Sequence, residues 1–381
     1  MDAWAGSGEG GAAAQRAEAL LQEMYNLYRS GGHDSLRPST GVFNAVIKAW
    51  ANSREKIAPT RAEQILDWME TLKDLDVQPD KFTLNTTMHA YARAGGPEAS
   101  KKAQALLAKM HTLYRNGNVL AKPDTISYNI VLNSIAKSGG NGAAEAAERL
   151  LAKMHSLHGM GDPDVKPNVV SYGAVIDCFS KCGEPDAASR ADNLLASMIQ
   201  LHQSDPVRNA DLLPNTYVFN CCLNCWAKSK EADAASKAEE MLVAMSRLYS
   251  SGMESVKPDA FSVSILSSKS SKLRKGFGSL TYIFSLDALS VQYTACIDAW
   301  SKSGYRGAAV RAEQLLDKME SKYLAGDTDL KPNTYTYNAV ISALAKSGES
   351  GAAARAERVL QNMVNRQRNG EGDAVKPTTI K

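Results

Sequence analysis

The chain predicts an all-α fold, a right-handed α-solenoid of helix-turn-helix repeats, and three observations predict it. An Ala is followed seven residues later by a Met eight times, with an apolar pair between them; a second apolar run precedes each such stretch; and a Pro dipeptide divides one unit from the next. Ala, the pair and Met stand at i, i+3, i+4 and i+7, which is one stripe of an α-helix. Successive Met positions are 45, 41, 44, 44, 47, 74 and 44 residues apart. Self-similarity at roughly 20–50 residues builds stacked supersecondary units rather than one globular core.

The second helix of each unit carries that stripe: Ala17 to Met24, Ala62 to Met69, Ala103 to Met110, Ala147 to Met154, Ala191 to Met198, Ala238 to Met245, Ala312 to Met319 and Ala356 to Met363. The first helix opens on a bulky residue, then a small polar one, then an apolar run, as in Phe43-Asn44-Ala45-Val46-Ile47 and Tyr128-Asn129-Ile130-Val131-Leu132. Lys137-Ser138-Gly139, Lys302-Ser303-Gly304 and Lys346-Ser347-Gly348 close these runs, with glycine ending the helix and letting the chain reverse. Each unit is thus a helical hairpin. Pro79-Asp80, Pro123-Asp124, Pro167-Asn168, Pro214-Asn215, Pro258-Asp259 and Pro332-Asn333 mark the boundaries. Proline stops the preceding segment, and the Asp or Asn caps the helix that follows.

The units read as residues 1–39, a truncated repeat, then 40–80, 81–124, 125–168, 169–215, 216–259, 260–333 and 334–378. Met1 aligns with Ile297, partway along a first helix, and Lys381 falls just past a Pro boundary, so the expectation is a fragment of a larger protein. The unit 260–333 is interrupted by residues 263–292, and removing them joins Ser262 to Tyr293 and restores a 44-residue period. The first residue, Val, is encoded by GT-initial codons and the last, Gln, by a codon that can end in AG. An unspliced intron read as protein is the expectation for this segment.

At 44% hydrophobic and 22% charged the composition is that of a soluble chain, and no run of 18 apolar residues predicts a membrane span. The six cysteines fall inside first helices, which argues against a disulfide framework. Cys222 and Cys225 have zinc-like spacing without a second Cys or His pair, so they read as buried thiols, with no metal and no cofactor expected. The six histidines are scattered in helix ends and connectors. No enzyme and no small-molecule substrate is read from this chain. Lys269, Lys272, Arg274 and Lys275 against Asp287 give the 263–292 segment a net +3, the whole formal charge of the chain. Phosphate attraction must then come from a local stripe, for which Arg93, Lys137, Lys181, Lys228, Lys302 and Lys346 at first-helix ends are candidates. The same cations would equally complement a helix dipole.

A Tyr-Asn or Tyr-Thr opening, a first helix ending in Ala-Lys-Ser-Gly, a second helix with Ala, Leu-Leu and Met, and a closing Lys-Pro-Asp resemble the pentatricopeptide repeat family. The resemblance runs from about Met1 to Pro377, although the period is mostly 44 rather than the roughly 35 residues that the family's name implies. The surplus lies at Gly140-Asn141-Gly142 and from His158 to Val165, in turns and connectors that tolerate insertion. The tetratricopeptide repeat is a weaker match, since its Trp-x-x-Leu-Gly-x-x-Tyr pattern is missing.

The resemblance implies sequence-specific binding of single-stranded RNA, one base per repeat, in organellar RNA processing, stability, editing or translation, with a mitochondrial or plastid location. Protein partners are the further class it allows, and no membrane is implied. The alternative is a tetratricopeptide-like protein-protein interaction scaffold. By resemblance, the base-reading pairs are Asn44 with Asp80, Asn85 with Asp124, Asn129 with Asn168, Gly173 with Asn215, Asn220 with Asp259, Thr294 with Asn333 and Asn338 with Thr378. In the family, Asn with Asp favours uracil, Asn with Asn a pyrimidine, and Thr with Asn adenine. Phe82, Ile126, Val170, Tyr217, Phe261 and Tyr335 would flank the bases, apolar or flat groups being suited to stacking. Gly41 departs from that pattern and Gly173 has no side chain to read with. Each Asn also has a plainer reading, as a helix-start residue bonded to its own backbone.

Overall fold

The computed structural model describes residues 10–31, 34–72, 77–140, 142–229, 231, 234–257, 294, 297, 300–301, 307–326 and 331–368. Its described residues form α-helices and short 3₁₀ turns, with no strand among them. Residues 263–292, together with Asp259, Phe261 and Thr378, lie outside the described residues. The fold is an α-solenoid of helix-turn-helix repeats, divided into two compact units, Met1–Glu184 and Pro185–Lys381.

The first unit holds α1 (Gly11–Arg29), α2 (Thr40–Asn52), α3 (Ala58–Thr71), α4 (Lys81–Ala94), α5 (Pro97–Arg115), α6 (Thr125–Ser138), α7 (Ala143–Gly159) and α8 (Val169–Cys182). Helices α2, α4, α6 and α8 pack successively side by side as one layer. Helices α3, α5 and α7 form the other layer, each wedged against the first helix before it and the one after it. The second unit holds α9 (Ala187–Ser204), α10 (Thr216–Lys228), α11 (Ala234–Ser250), α12 (Ala308–Leu324), α13 (Thr334–Ser347) and α14 (Ala352–Arg368). There α10 packs between α9 and α11, and α13 between α12 and α14.

The Ala-to-Met stripe explains the layers. Ala62, Ala103, Ala147, Ala191 and Ala312 are fully buried and let neighbouring backbones approach. Met69, Met110, Met154, Met198, Met245, Met319 and Met363 are each at 0% exposure, filling the gap one turn beyond. Each buried methionine contributes about 1.5–3 kcal/mol. Met24 in α1 is only half-buried.

Two polar ladders join successive repeats. On the second helices, Glu18 accepts from Trp50 Nε1 at 2.8 Å and pairs with Arg61, Glu63 pairs with Lys102 at 3.0 Å and meets the Tyr91 hydroxyl, and Glu313 pairs with Arg355. Along the connectors, Asn118 Nδ2 donates to the Pro79 carbonyl at 2.8 Å and Thr125 Oγ1 to the Lys166 carbonyl at 2.8 Å. In the second unit Ser255 Oγ donates to the Pro214 carbonyl at 2.8 Å and Thr216 Oγ1 to the Lys257 carbonyl at 2.7 Å. The long connectors are thus bonded to their neighbours.

Candidate nucleic-acid interface

Among the described residues, the polar residue that closes a Pro dipeptide is the N-cap of the next first helix. Asp80 Oδ1 accepts from the Thr83 backbone N–H at 2.8 Å, and Thr83 Oγ1 accepts from the Asp80 N–H at 3.1 Å, a reciprocal capping box. The same box joins Asp124 with Ser127, Asn168 with Ser171 and Asn333 with Thr336. Asn215 caps α10 through the Val218 N–H at 3.1 Å. A cap uses one oxygen. What remains of the Asp80, Asp124 and Asn168 side chains faces the neighbouring first helix.

There the first-helix polar residue meets it. Asn44 Nδ2 donates to both carboxylate oxygens of Asp80, at 3.1 and 3.3 Å. Asn129 Nδ2 donates to Asn168 Oδ1 at 3.2 Å. Asn44, Asn129, Asn220 and Thr294 are buried, so an incoming group would meet only their edges. Asn85 and Asp124 stand differently: Asp124 Oδ2 takes Lys81 Nζ at 2.9 Å, while Asn85 Oδ1 is buried without a hydrogen-bond partner. Burial raises the Asp124 pKa, but the Lys81 ammonium and the Ser127 N–H outweigh it and hold the carboxyl below its ordinary value. Asp124 is therefore an anion at neutral pH.

Gly173 is buried in α8 of the first unit, and Asn215 belongs to the second. Asn338 is half-buried in α13, and Asn333, its neighbour at the cap of that helix, is exposed. In five repeats an exposed apolar residue stands one turn before the first-helix reading position: Phe82 at 49%, Ile126 at 62%, Val170 at 49%, Tyr217 at 52% and Tyr335 at 55%. A spacing of three places it on the same helix face as the polar residue.

Three of the first-helix cations are engaged elsewhere. Arg93 Nη1 donates to the Ala51 carbonyl at 2.9 Å and Lys137 Nζ to the Ala92 carbonyl at 3.2 Å, so each closes the end of the preceding first helix. Lys181 pairs with Asp177 at 2.5 Å. For Arg93 and Lys137 the helix-end reading prevails over the phosphate stripe.

Sequence reasoning missed the hydroxyls of Thr83, Ser127, Ser171 and Thr336, all at 0% exposure. Their signal was present in the chain, as a Ser or Thr three residues after Asp80, Asp124, Asn168 and Asn333.

No curated protein matches the chain. A family model described as PPR repeat matches residues 170–190 and 335–356. Among solved structures the chain is similar to the pentatricopeptide repeat protein PPR10 in complex with an 18-nucleotide psaJ RNA element, at 18% identity and a TM-score of 0.33, over 99% of this chain and 55% of that one. It is also similar to PPR10 from maize, at 19% identity and a TM-score of 0.25, over 96% of this chain and 63% of that one. The chain spans about half the length of the first of these.

Proposed function

This chain carries pentatricopeptide repeats, and from that premise we propose that it binds single-stranded RNA by reading one base per repeat. The observation that carries the reading is the repeated pairing of an exposed apolar residue with a polar edge on the same face: Phe82 with Asn85, Ile126 with Asn129, Tyr217 with Asn220 and Tyr335 with Asn338. An apolar or aromatic platform holds a base face, and an amide and carboxylate beside it address the base edge.

The hydrogen bonds already made determine what each pair offers. Asn44 brings an amide nitrogen with two hydrogens, bonded to both Asp80 oxygens, and Asp80 brings carboxylate lone pairs. A donor beside an acceptor suits uracil, whose N3–H donates between two carbonyls. Asn168 Oδ1 is occupied by Val170 N–H, Ser171 N–H and Asn129 Nδ2, leaving its amide as donor beside the donor of Asn129. Two donors suit the N3 and O2 acceptors of cytosine, within the pyrimidine reading of an Asn-Asn pair. Thr294 with Asn333 is assigned to adenine, Asn220 with Asp259 to uracil, and Asn85 with Asp124 to uracil once Lys81 yields. Gly173 with Asn215 and Asn338 with Thr378 complete the proposed series. The bases would be flanked by Phe82, Ile126, Val170, Tyr217, Phe261 and Tyr335.

The activity is binding, not catalysis, and the setting we infer is RNA processing, stability, editing or translation in a mitochondrion or plastid. Filter binding to a uridine-rich oligonucleotide and to scrambled controls, across a salt series, tests it. Equal affinity for all sequences, or no binding, would favour a peptide-binding scaffold instead.

A further inference from the structure

Each capping box contains a hydroxyl with a second neighbour. Thr83 Oγ1 accepts from the Asp80 N–H, so its own proton must go to an acceptor. The nearest is Asn44 Oδ1 at 2.6 Å, shorter than the 2.8 Å to Asp80 Oδ1. Ser171 repeats the arrangement: it accepts from the Asn168 N–H at 3.2 Å and lies 2.6 Å from Asn129 Oδ1, against 3.2 Å from Asn168 Oδ1. Thr336 Oγ1 lies 2.7 Å from Thr294 Oγ1. All of these hydroxyls are fully buried.

An amide is nearly symmetric in shape, so which end is oxygen and which nitrogen is decided by its partners. Asn44 has a donor on one side, the Thr83 hydroxyl, and an anion on the other, Asp80. The hydroxyl takes the oxygen, and the nitrogen is left to face the carboxylate and the open edge. We infer that Thr83 and Ser171 are positioning residues, whose hydroxyls fix the direction of the Asn44 and Asn129 amides and so set the donor pattern those repeats present to an RNA base.

The chain contains its own contrasts. Where the polar position is Gly173, the third residue of the next first helix is Val218 rather than a hydroxyl residue. Where the hydroxyl is diverted, as Ser127 is to Asp124 Oδ1 at 3.0 Å, the preceding amide Asn85 keeps an oxygen without a partner. The hydroxyl thus accompanies the amides of Asn44 and Asn129, and Asn85, from which it is diverted, is left with an unsatisfied oxygen.

The inference rests on the RNA reading above, and its test separates the two. The full chain, Thr83→Val and Thr83→Ser are compared by equilibrium binding to a uridine-containing oligonucleotide and to a set in which each nucleotide in turn is changed to cytidine. Valine matches threonine in shape, and Val218 shows that the position accepts it. The expected result is that Thr83→Val lowers discrimination at the one nucleotide read by Asn44 by about fivefold to tenfold, leaves the other nucleotides unchanged, and that Thr83→Ser restores the wild-type value. Ser171→Ala should do the same at the nucleotide read by Asn129, which provides a second site should Thr83→Val fold poorly. A wild-type chain that discriminates while Thr83→Val and Ser171→Ala leave its preferences intact overturns the inference alone, as does failure of Thr83→Ser to restore discrimination. A wild-type chain indifferent to every substitution overturns the RNA reading and this inference with it.

Discussion

His111 Nε2 lies 2.8 Å from the hydroxyl of Tyr128, with the two rings edge to face at 5.9 Å, and 44 residues later His155 and Tyr172 repeat the pair at 2.9 Å and 5.8 Å. Burial, then the Lys153 and Arg115 charges, push the His111 imidazole down to about 4 against an opposing pull from Asp162, and burial pushes the Tyr128 hydroxyl up to about 12. The imidazole is neutral in the folded chain and protonates in the unfolded one near its ordinary value of 6.5. A depressed folded pKa means the contribution is complete above pH 6.5 and is lost as the pH falls toward about 4. His111→Phe should therefore flatten the acid limb of the stability curve. The difference in Tm between variant and wild type, measured from pH 7 to pH 4, should shift toward the variant as the pH falls; a constant difference would show that His111 does not titrate in this window.

Met154 is fully buried between helices of adjacent repeats. Met154→Ala should cost about 2–5 kcal/mol, most of it from the cavity left by a group that neighbours on two sides have closed over. Chemical denaturation gives the value. A loss below about 1 kcal/mol would mean the repeats collapse freely around the gap.

Asp124→Asn exchanges a carboxylate for a group that still caps α6 but also donates. Base preference at that repeat should move from uracil toward cytosine, with overall affinity little changed and a discrimination change of about 1–3 kcal/mol. The pair with Lys81 is lost as well, so Lys81→Ala is the control: it should leave the preference for uracil in place. Unaltered preference in Asp124→Asn, with RNA still bound, would mean that the repeats grip only backbone.

Tyr217 is half-exposed on α10. Tyr217→Ala should weaken RNA binding by about 1–3 kcal/mol, the worth of one stacked base, while thermal stability stays within about 0.5 kcal/mol. Parallel loss of both would make Tyr217 a core residue.

Residues 263–292 interrupt an otherwise 44-residue period. Mature transcripts sequenced across the codons for Ser262 and Tyr293 should join them directly. Continuous coding sequence in every transcript would make the segment a true insertion.

The hairpins were legible because their determinants are local. An i, i+3, i+4, i+7 stripe and a Gly or Pro at each reversal survive any change of surface, and Met69 through Met363 are buried as that stripe requires. The base-reading candidates were legible only as positions. That Asn44 would touch Asp80 depends on two helices lying side by side, 36 residues apart in sequence, and no local pattern reports the hydrogen bonds of such a pair. The cations show the same limit: Arg93 reads in sequence as either a phosphate contact or a helix-end cation, and it closes a neighbouring helix through the Ala51 carbonyl. Lys81, which takes Asp124, was invisible for the same reason.

Asp80 starts a helix with one oxygen and faces Asn44 with both. Any recoding of the repeat must therefore draw from a small alphabet: side chains short enough to turn back on their own backbone and polar enough to address a base. Asp, Asn, Ser and Thr qualify, while Gln, Glu, Lys and Arg do not. A designer wishing to retarget such a chain has few letters available at this site, and greater freedom lies one turn further along, where the helix has already begun.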